Sequence, residues 1–468
     1  MSALRVVQWT TGKVATQSIK AILDRPELEL VGLYAFSKEK VGQDVGDLIQ
    51  LGRKLGVKAT NDIDALLALK PDCIVYMPLH PDVPELARLL RAGVNVVTTA
   101  SFITGRGYGE PARKELEEAA RAGGVSLFGS GINPGWVDAL VANASSLCRD
   151  VNLVKVTESF NIGLWAADAN QDVIGWGRPA NDPEHPKAIE KATLPFGDAV
   201  EAIAKMFKFA LDDVRCEVSF AHATEDLDVP GRIVKKGTVA GVIAKWLGIA
   251  QGHPVIELNA QWVVSDDVEP AWEIAMAYLI EVQGTPQLKL RAEVLPTDMN
   301  LPMEELIATG SIITASPVVN AIASVVAARP GIVTYADLPP VTSVLRPKAQ
   351  APAPVPLRAV EEAAAPKSAP TSVEGQWKVT IKGPTGPKHT VLALELANGV
   401  WTGSQSGDGN TSPISEAKVD GAQIYWVNHT PKPMKLKCEF KGVIDGAQMT
   451  GKMKAGFMGS YNFTAVKV

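Results

Sequence analysis

The sequence predicts an α/β unit with a parallel sheet, then an α+β unit, then a linker and a small all-β barrel-like unit. Three observations predict it. Residues 1–130 alternate short apolar runs with helical patterns. Residues 131–340 carry longer strand-like runs with few helices between them. Residues 373–468 are short β-patterned runs cut by Gly, Pro, Asn-Gly and Asp-Gly, and they follow a Pro/Ala-rich stretch at 341–372. The length of 468 residues suits roughly three domains of ~150 residues each.

In the first unit LRVVQW, LELVGLYAF, PDCIVYMP, VNVVTTA and VSLFGSG read as strands, with GVKAT as a short extra one. They are nearly continuous in Val, Ile and Leu, as in a parallel sheet covered on both faces. The intervening KVATQSIKAILDR, DIDALLALK, PDVPELARLLRAG and EPARKELEEAARAG have helical apolar spacing. This alternation predicts βαβ units with right-handed crossovers. In the second unit LVKVTESFNI, VRCEVSFAHA, GTVAGVIAKWLGI, VIELNAQWVV, AYLIEVQG and QLKLRAEVL read as strands, and FGDAVEAIAKMFKF and SPVVNAIASVVAARPG as helices. The linker lacks aromatics and cannot bury enough surface to fold. In the last unit Trp377, Trp401, Trp426, Phe440, Phe457 and Phe463 suit the core of a barrel of seven or eight strands.

Composition narrows the partners. A net charge of −5, a pI near 5.8 and the lack of a dense Lys/Arg patch argue against nucleic acid and anionic membrane surfaces. The stretch 306–328 reads as too polar for a membrane span, because it holds Ser311, Thr314, Ser316, Pro317, Asn320 and Ser324. Cys73, Cys148, Cys216 and Cys438 form no C-x-x-C pair and read as reduced thiols of a cytoplasmic protein. The first strand starts almost at Met1, so no signal peptide is expected. The six histidines show no metal-ligand spacing, so no metal is expected.

The stretch VVQWTTGKVATQSI places a turn between the first strand and helix. The dinucleotide fingerprint there is G-x-G-x-x-G/A. Gly12 and Ala15 keep its second and third positions, while Thr10 stands at the first. A Rossmann unit with a modified phosphate turn follows, against the plainer reading of an ordinary strand-turn-helix. At the end of the second strand, AFSKEKVG sets Ser37 and Lys38, with Lys40 nearby, where NAD-binding chains usually carry Asp or Glu. A hydroxyl and ammonium groups suit a 2′-phosphate, so NADP is preferred and NAD stays open.

These stretches, with VYMP, NVVTTA, GSGINPGW, DVIGWGRP, GTVAGV, ELNAQWVV and NAIASVVAARPGIVTYADLP, run in order from residue 5 to about 339. Together they resemble the dihydrodipicolinate reductase-like oxidoreductases, on the branch of 2,4-diaminopentanoate dehydrogenase and related NAD(P)-dependent amine dehydrogenases. The resemblance spans nearly three quarters of the chain, without the linker and barrel. It implies hydride transfer between a nicotinamide and a C–N bond, and homo-oligomers (a homodimer or larger) formed through the second unit. By position, it places Thr10, Thr11, Gly12, Lys13 and Val14 around the pyrophosphate, and Ser37 and Lys38 at the ribose. Pro78, Thr99, Ala100 and Ser101 would flank the nicotinamide, with Asn133, Pro134 and Gly135 as the turn at that end.

Two departures bear on the chemistry. The reductases proper carry a His pair after the Glu of the strand matching VKVTESFNIG, whereas Phe160 and Asn161 stand here after Glu158 and Ser159. The amine dehydrogenases carry an acidic residue after the strand matching NVVTTA, whereas Ser101 and Phe102 stand here. A ketone/alcohol pair or a weakly basic imine therefore joins the amine as an expected small, hydrophobic substrate.

Hydride transfer to C=O or C=N needs a proton donor and a dry pocket. The candidate donors are Ser101 and Tyr108 in the loop SFITGRGYGE, which has Gly105, Gly107 and Gly109 for mobility, and Glu158 on its strand. The plainer reading is a surface loop with Glu110 at the start of the next helix, and Glu158 as a satisfied sheet carboxylate. Phe102, Trp136, Asn161 and Trp176 are the candidate substrate contacts, the two tryptophans because they adjoin the NPGW and GWGRP turns. The alternative function is a non-catalytic nucleotide sensor or scaffold that uses the barrel for recognition.

Overall fold

The computed structural model describes residues 2–100, 103–166, 169–296, 303–345, 373–383, 386–397, 399–407, 410–430, 436–455 and 460–468. The first unit runs β1 (Leu4–Trp9), α1 (Lys13–Leu23), β2 (Leu28–Tyr34), α2 (Val45–Leu48), β3 (Ala59–Thr60), α3 (Ile63–Ala68), β4 (Cys73–Tyr76), α4 (Val83–Arg91), β5 (Asn95–Thr98), α5 (Glu110–Gly123) and β6 (Ser126–Gly129). All residues of β4, β5 and β6 are buried, as their unbroken apolar runs predict for strands covered on both faces. Asp82 caps α4 by accepting the Glu85 N–H at 2.8 Å.

The second unit holds α6 (Val137–Ser145), β7 (Asp150–Asn161), α7 (His185–Ala192), α8 (Leu194–Met206), β8 (Asp213–Ala223), the pair β9 (Leu227–Val229) and β10 (Arg232–Val234), β11 (Val239–Ala250), β12 (His253–Val263), β13 (Val268–Glu269), β14 (Ala277–Thr285) and β15 (Leu288–Ala292). Its mixed sheet has the order β13-β8-β11-β12-β7-β14-β15. One face packs on the helices: Gly197 of α8 lies against the Trp246 ring so closely that a Cβ would come within 2.6 Å. The other face carries cross-strand ion pairs, Lys155–Glu257 at 3.2 Å and Lys245–Glu217 at 3.7 Å.

The chain then returns to the first sheet. Helix α9 (Met303–Val326) buries Ala315, Val318, Val319, Ile322 and Val325 in one core with Ile19 and Ile22 of α1. Strand β16 (Gly331–Val333) pairs in parallel with β6, giving the order β16-β6-β5-β4-β1-β2-β3. So residues 303–333, expected with the second unit, complete the first one. The polarity read into this stretch also needs correction. Residues 305–326 are long and apolar enough to cross a membrane by length and composition alone, with a mean hydropathy of 1.6. Their hydroxyls fold back onto the helix, Thr314 onto the Gly310 carbonyl at 2.8 Å and Ser316 onto Ile312 at 2.7 Å, which hides their polarity.

The third unit is a closed antiparallel barrel of β17 (Gly375–Gly383), β18 (Gly386–Ala397), β19 (Val400–Gly407), β20 (Asn410–Asp420), β21 (Gln423–Thr430), β22 (Leu436–Asp445), β23 (Gln448–Ala455) and β24 (Ser460–Lys467). Trp426 stacks on Phe440 at 4.4 Å, and Phe463 meets both edge-on. Asp420-Gly421 and Asp445-Gly446 make hairpin turns with their glycines in the left-handed region, while Asn398 and Phe457 lie outside the described residues. An ion pair joins Lys454 of β23 to Asp267 of the second unit.

Candidate active site

Parallel order puts the carboxyl ends of β1, β4, β5 and β6 along one edge, where open α/β sheets take their ligands. The chain leaves β1 through Thr10, whose φ is +80°. That is the left-handed conformation a fingerprint glycine supplies without strain. A β-branched residue held there costs about 1–3 kcal/mol. Two bonds hold it: its N–H donates to the Tyr34 carbonyl at 2.9 Å, and its hydroxyl to the Met77 carbonyl at 3.1 Å. Gly12 follows as the N-cap of α1, with no side-chain cap, and a Cβ added to it would meet nothing within 4 Å. The N-terminal end of α1 therefore opens onto clear space, the arrangement that a pyrophosphate fits. Thr11, Lys13 and Val14 flank this turn, and the Lys40 ammonium donates to the Thr11 hydroxyl at 2.7 Å. Ser37 is paired with Glu39, and Lys38 is exposed. The residues present fit a dinucleotide.

Pro78, Thr99 and Ala100 follow β4 and β5 at the same edge, while Ser101 and Phe102 lie outside the described residues. After β6 comes a turn in which Asn133, Pro134 and Gly135 depart from helical geometry. Gly135 has φ +134°, and a Cβ there would lie 2.5 Å from Ser130 Oγ, so only glycine fits. Its N–H donates to Asp138 Oδ2 at 2.8 Å. Nearby, Ser130 Oγ and the Tyr335 hydroxyl are 2.9 Å apart.

The same turn reaches the second unit. Asn133 Nδ2 donates to Glu158 Oε2 at 2.7 Å, and Trp262 Nε1 donates to Glu158 Oε1 at 3.0 Å. Glu158 keeps slight exposure at residue level, but its carboxyl sits among Trp262, Asn133 and the Tyr278 registered beside it on β14. Desolvation pushes its pKa up to about 7, against the lowering effect of the two donors. Two further carboxyls nearby are raised by burial, Asp138 to about 8 and Asp198 to about 6.

The candidate loop is docked on α8. Thr104 N–H donates to Asp198 Oδ2 at 3.4 Å, and Arg106 pairs with Glu201 at 2.5 Å. The Tyr108 hydroxyl donates to the Ala100 carbonyl at 3.0 Å, and burial raises its pKa. Glu110 opens α5 and pairs with Arg113.

Not every candidate converges. Asn161 stands three residues after Glu158 on one strand and so faces the opposite side of the sheet. Its amide donates to Asp266 at 3.1 Å and its oxygen accepts the Gly163 N–H at 3.1 Å. Trp176 is 6% exposed within the second core, whereas Trp136, beside the turn, is 37% exposed. Asp138, Asp198 and Trp262 are not among the sequence candidates for the site. The spacing of Asp138 behind the NPGW turn is the one signal that points to it.

The chain matches the family model of the 2,4-diaminopentanoate dehydrogenase C-terminal domain over residues 137–351. It is 29% identical to an amine dehydrogenase of Streptomyces virginiae over 353 residues, covering 72% of this chain and 96% of that one. It is 26% identical to a 4-hydroxy-tetrahydrodipicolinate reductase of Synechococcus elongatus, covering 49% and 84%. The amine dehydrogenase structure from Mycobacterium smegmatis shares the fold, with a TM-score of 0.57 and 23% identity over 73% of this chain and 98% of that one. The chain is an oxidoreductase with a nicotinamide cofactor and a small-molecule substrate, and it is similar to the dihydrodipicolinate reductase-like proteins, on the branch of the 2,4-diaminopentanoate and amine dehydrogenases.

Proposed function

We propose that this enzyme prefers NADP and interconverts a C=N or C=O group with the corresponding amine or alcohol on a small hydrophobic substrate, with Glu158 moving the proton. A bound nicotinamide supplies or accepts the hydride. The observation that carries the reading is Glu158, held by Asn133 at the nicotinamide end of the crevice with a pKa near 7. A carboxyl poised there exchanges a proton at neutral pH, where an ordinary carboxylate stays ionised. Its charged form also offers an ammonium or iminium partner the acidic group that positions 101 and 102 lack, which supports C–N chemistry. Trp136, partly exposed beside the turn, and the apolar Trp262–Phe196 pair are assigned to the substrate pocket. Thr10 to Val14 hold the pyrophosphate, and Lys40, with Lys38 and Ser37, holds the 2′-phosphate. Pro78, Thr99, Ala100 and the Asn133–Gly135 turn flank the nicotinamide. Tyr108 donates to a backbone carbonyl and is assigned to loop docking.

The same reading places the enzyme in the cytoplasm as a homo-oligomer; the four cysteines, all unpaired, accord with a reducing compartment. The test is turnover of hydrophobic ketones with NADPH or NADH, with and without ammonium. Reduction that requires ammonium assigns C–N chemistry, reduction without it assigns C–O chemistry, and none over a broad panel contradicts the reading.

A further inference from the structure

We infer that Asp138 is a positioning residue for the reaction, acting through the NPG turn on Glu158. This rests on the assignment of Glu158 above. The chain of contacts is continuous. Asp138 Oδ2 accepts the Gly135 N–H at 2.8 Å, and two residues earlier in the turn Asn133 Nδ2 donates to Glu158 Oε2 at 2.7 Å. Nothing else in the turn is adaptable. Its backbone is non-helical at Asn133, Pro134 and Gly135, and Gly135 is pressed against Ser130 too closely for any side chain. The Trp136 N–H closes the turn onto the Gly131 carbonyl at 2.9 Å, but the Gly135 N–H inside it is turned to Asp138 and needs that anchor.

Asp138 lies on the first turn of α6 with only 1% of its surface exposed, and Oδ1 has no hydrogen-bond partner among the described residues. Burying an acid with one oxygen unpartnered is costly. A side chain chosen for packing alone would be apolar here, among Ile103, Ala202 and Met206. The retained group is the one that holds the turn. Supporting groups of this kind fix the orientation of the residues that meet substrate. Tyr335 is the titratable neighbour of Asp138, and Tyr278 that of Glu158.

The test reads Glu158 itself and needs no substrate. The full-length chain is labelled with carboxyl-13C glutamate, and Glu158 is assigned by its loss in Glu158→Gln. Its titration midpoint is then followed in Asn133→Ala, Asp138→Ala, Asp138→Asn and the double alanine variant. Because Asn133 favours the charged carboxylate, Asn133→Ala raises the midpoint by about one unit. Asp138→Ala does the same, the double variant adds nothing further, and Asp138→Asn, which still accepts the Gly135 N–H, leaves the midpoint in place. If Asp138→Ala does not fold, Asp138→Ser replaces it, since its short hydroxyl does not span to Gly135. An unmoved midpoint in the Ala or Ser variant overturns the inference. So do equal shifts in Asp138→Asn and Asp138→Ala, which would mark a direct electrostatic effect. The assignment of Glu158 fails separately, through undiminished turnover in Glu158→Gln.

Discussion

Asn133 Nδ2 and Glu158 Oε2 lie 2.7 Å apart, and that bond joins the turn at the end of the dinucleotide sheet to the sheet of the second unit. It brings a carboxyl with a pKa near 7 to the edge where a nicotinamide would lie. The consequences for binding, stability and assembly can each be measured.

Gly12 caps α1 without a side chain, and the space around it is open. Gly12→Ser supplies the missing cap and raises stability by roughly a few tenths of a kcal/mol. The new side chain occupies the phosphate space, so NADPH binding weakens on the order of tenfold or more. Thermal melting and nicotinamide fluorescence titration should move in opposite directions.

Lys40 stands over the phosphate turn through its bond to Thr11. Lys40→Glu is expected to weaken NADPH by on the order of tenfold, because a charge-assisted bond to phosphate is replaced by repulsion. NADH, which has no 2′-phosphate, is affected much less. Equal losses for the two dinucleotides would place Lys40 at the pyrophosphate instead.

Three carboxyls, Asp138, Glu158 and Asp198, have folded-state pKa values raised by burial to about 8, 7 and 6. The native state therefore holds more protons than the unfolded one between about pH 4 and pH 8, and stability falls as pH rises through that window. Asp138→Asn removes one of these protonation sites. Denaturant midpoints measured from pH 5 to pH 8 should decline for the parent chain and decline less for Asp138→Asn.

The Lys454–Asp267 pair is partly exposed on both sides, at 19% and 32%, so its loss costs less than about 1 kcal/mol of stability. It is a contact between the barrel and the second unit. Lys454→Glu should enlarge the radius of gyration in small-angle scattering without unfolding either unit. The reversed pair, Lys454→Glu with Asp267→Lys, should restore it.

Much of this was legible in the sequence, for physical reasons. The buried strands of the first sheet announce themselves as unbroken Val/Ile/Leu runs, and the barrel by its Asp-Gly turns. Thr10 concealed the first position of the phosphate turn, because positive φ in a threonine depends on bonds to Tyr34 and Met77, which are distant in sequence. The return of α9 and β16 to the first sheet is a long-range pairing that local periodicity does not encode. Strand alternation could have excluded Asn161 from the Glu158 face. Asp138 was signalled only by its spacing behind the NPGW turn, since its role follows from the positive φ of Gly135 and not from its own residue type.

The most direct test of the central claim is the pH dependence of kcat/KM for the parent enzyme and Glu158→Gln, in the reductive direction, on a ketone substrate from the panel. With Glu158 as the proton donor, the parent profile falls above a midpoint near pH 7. Glu158→Gln then loses on the order of a hundredfold or more and shows no such limb. A variant that keeps both the rate and the limb would contradict the account and remove Glu158 from the reaction.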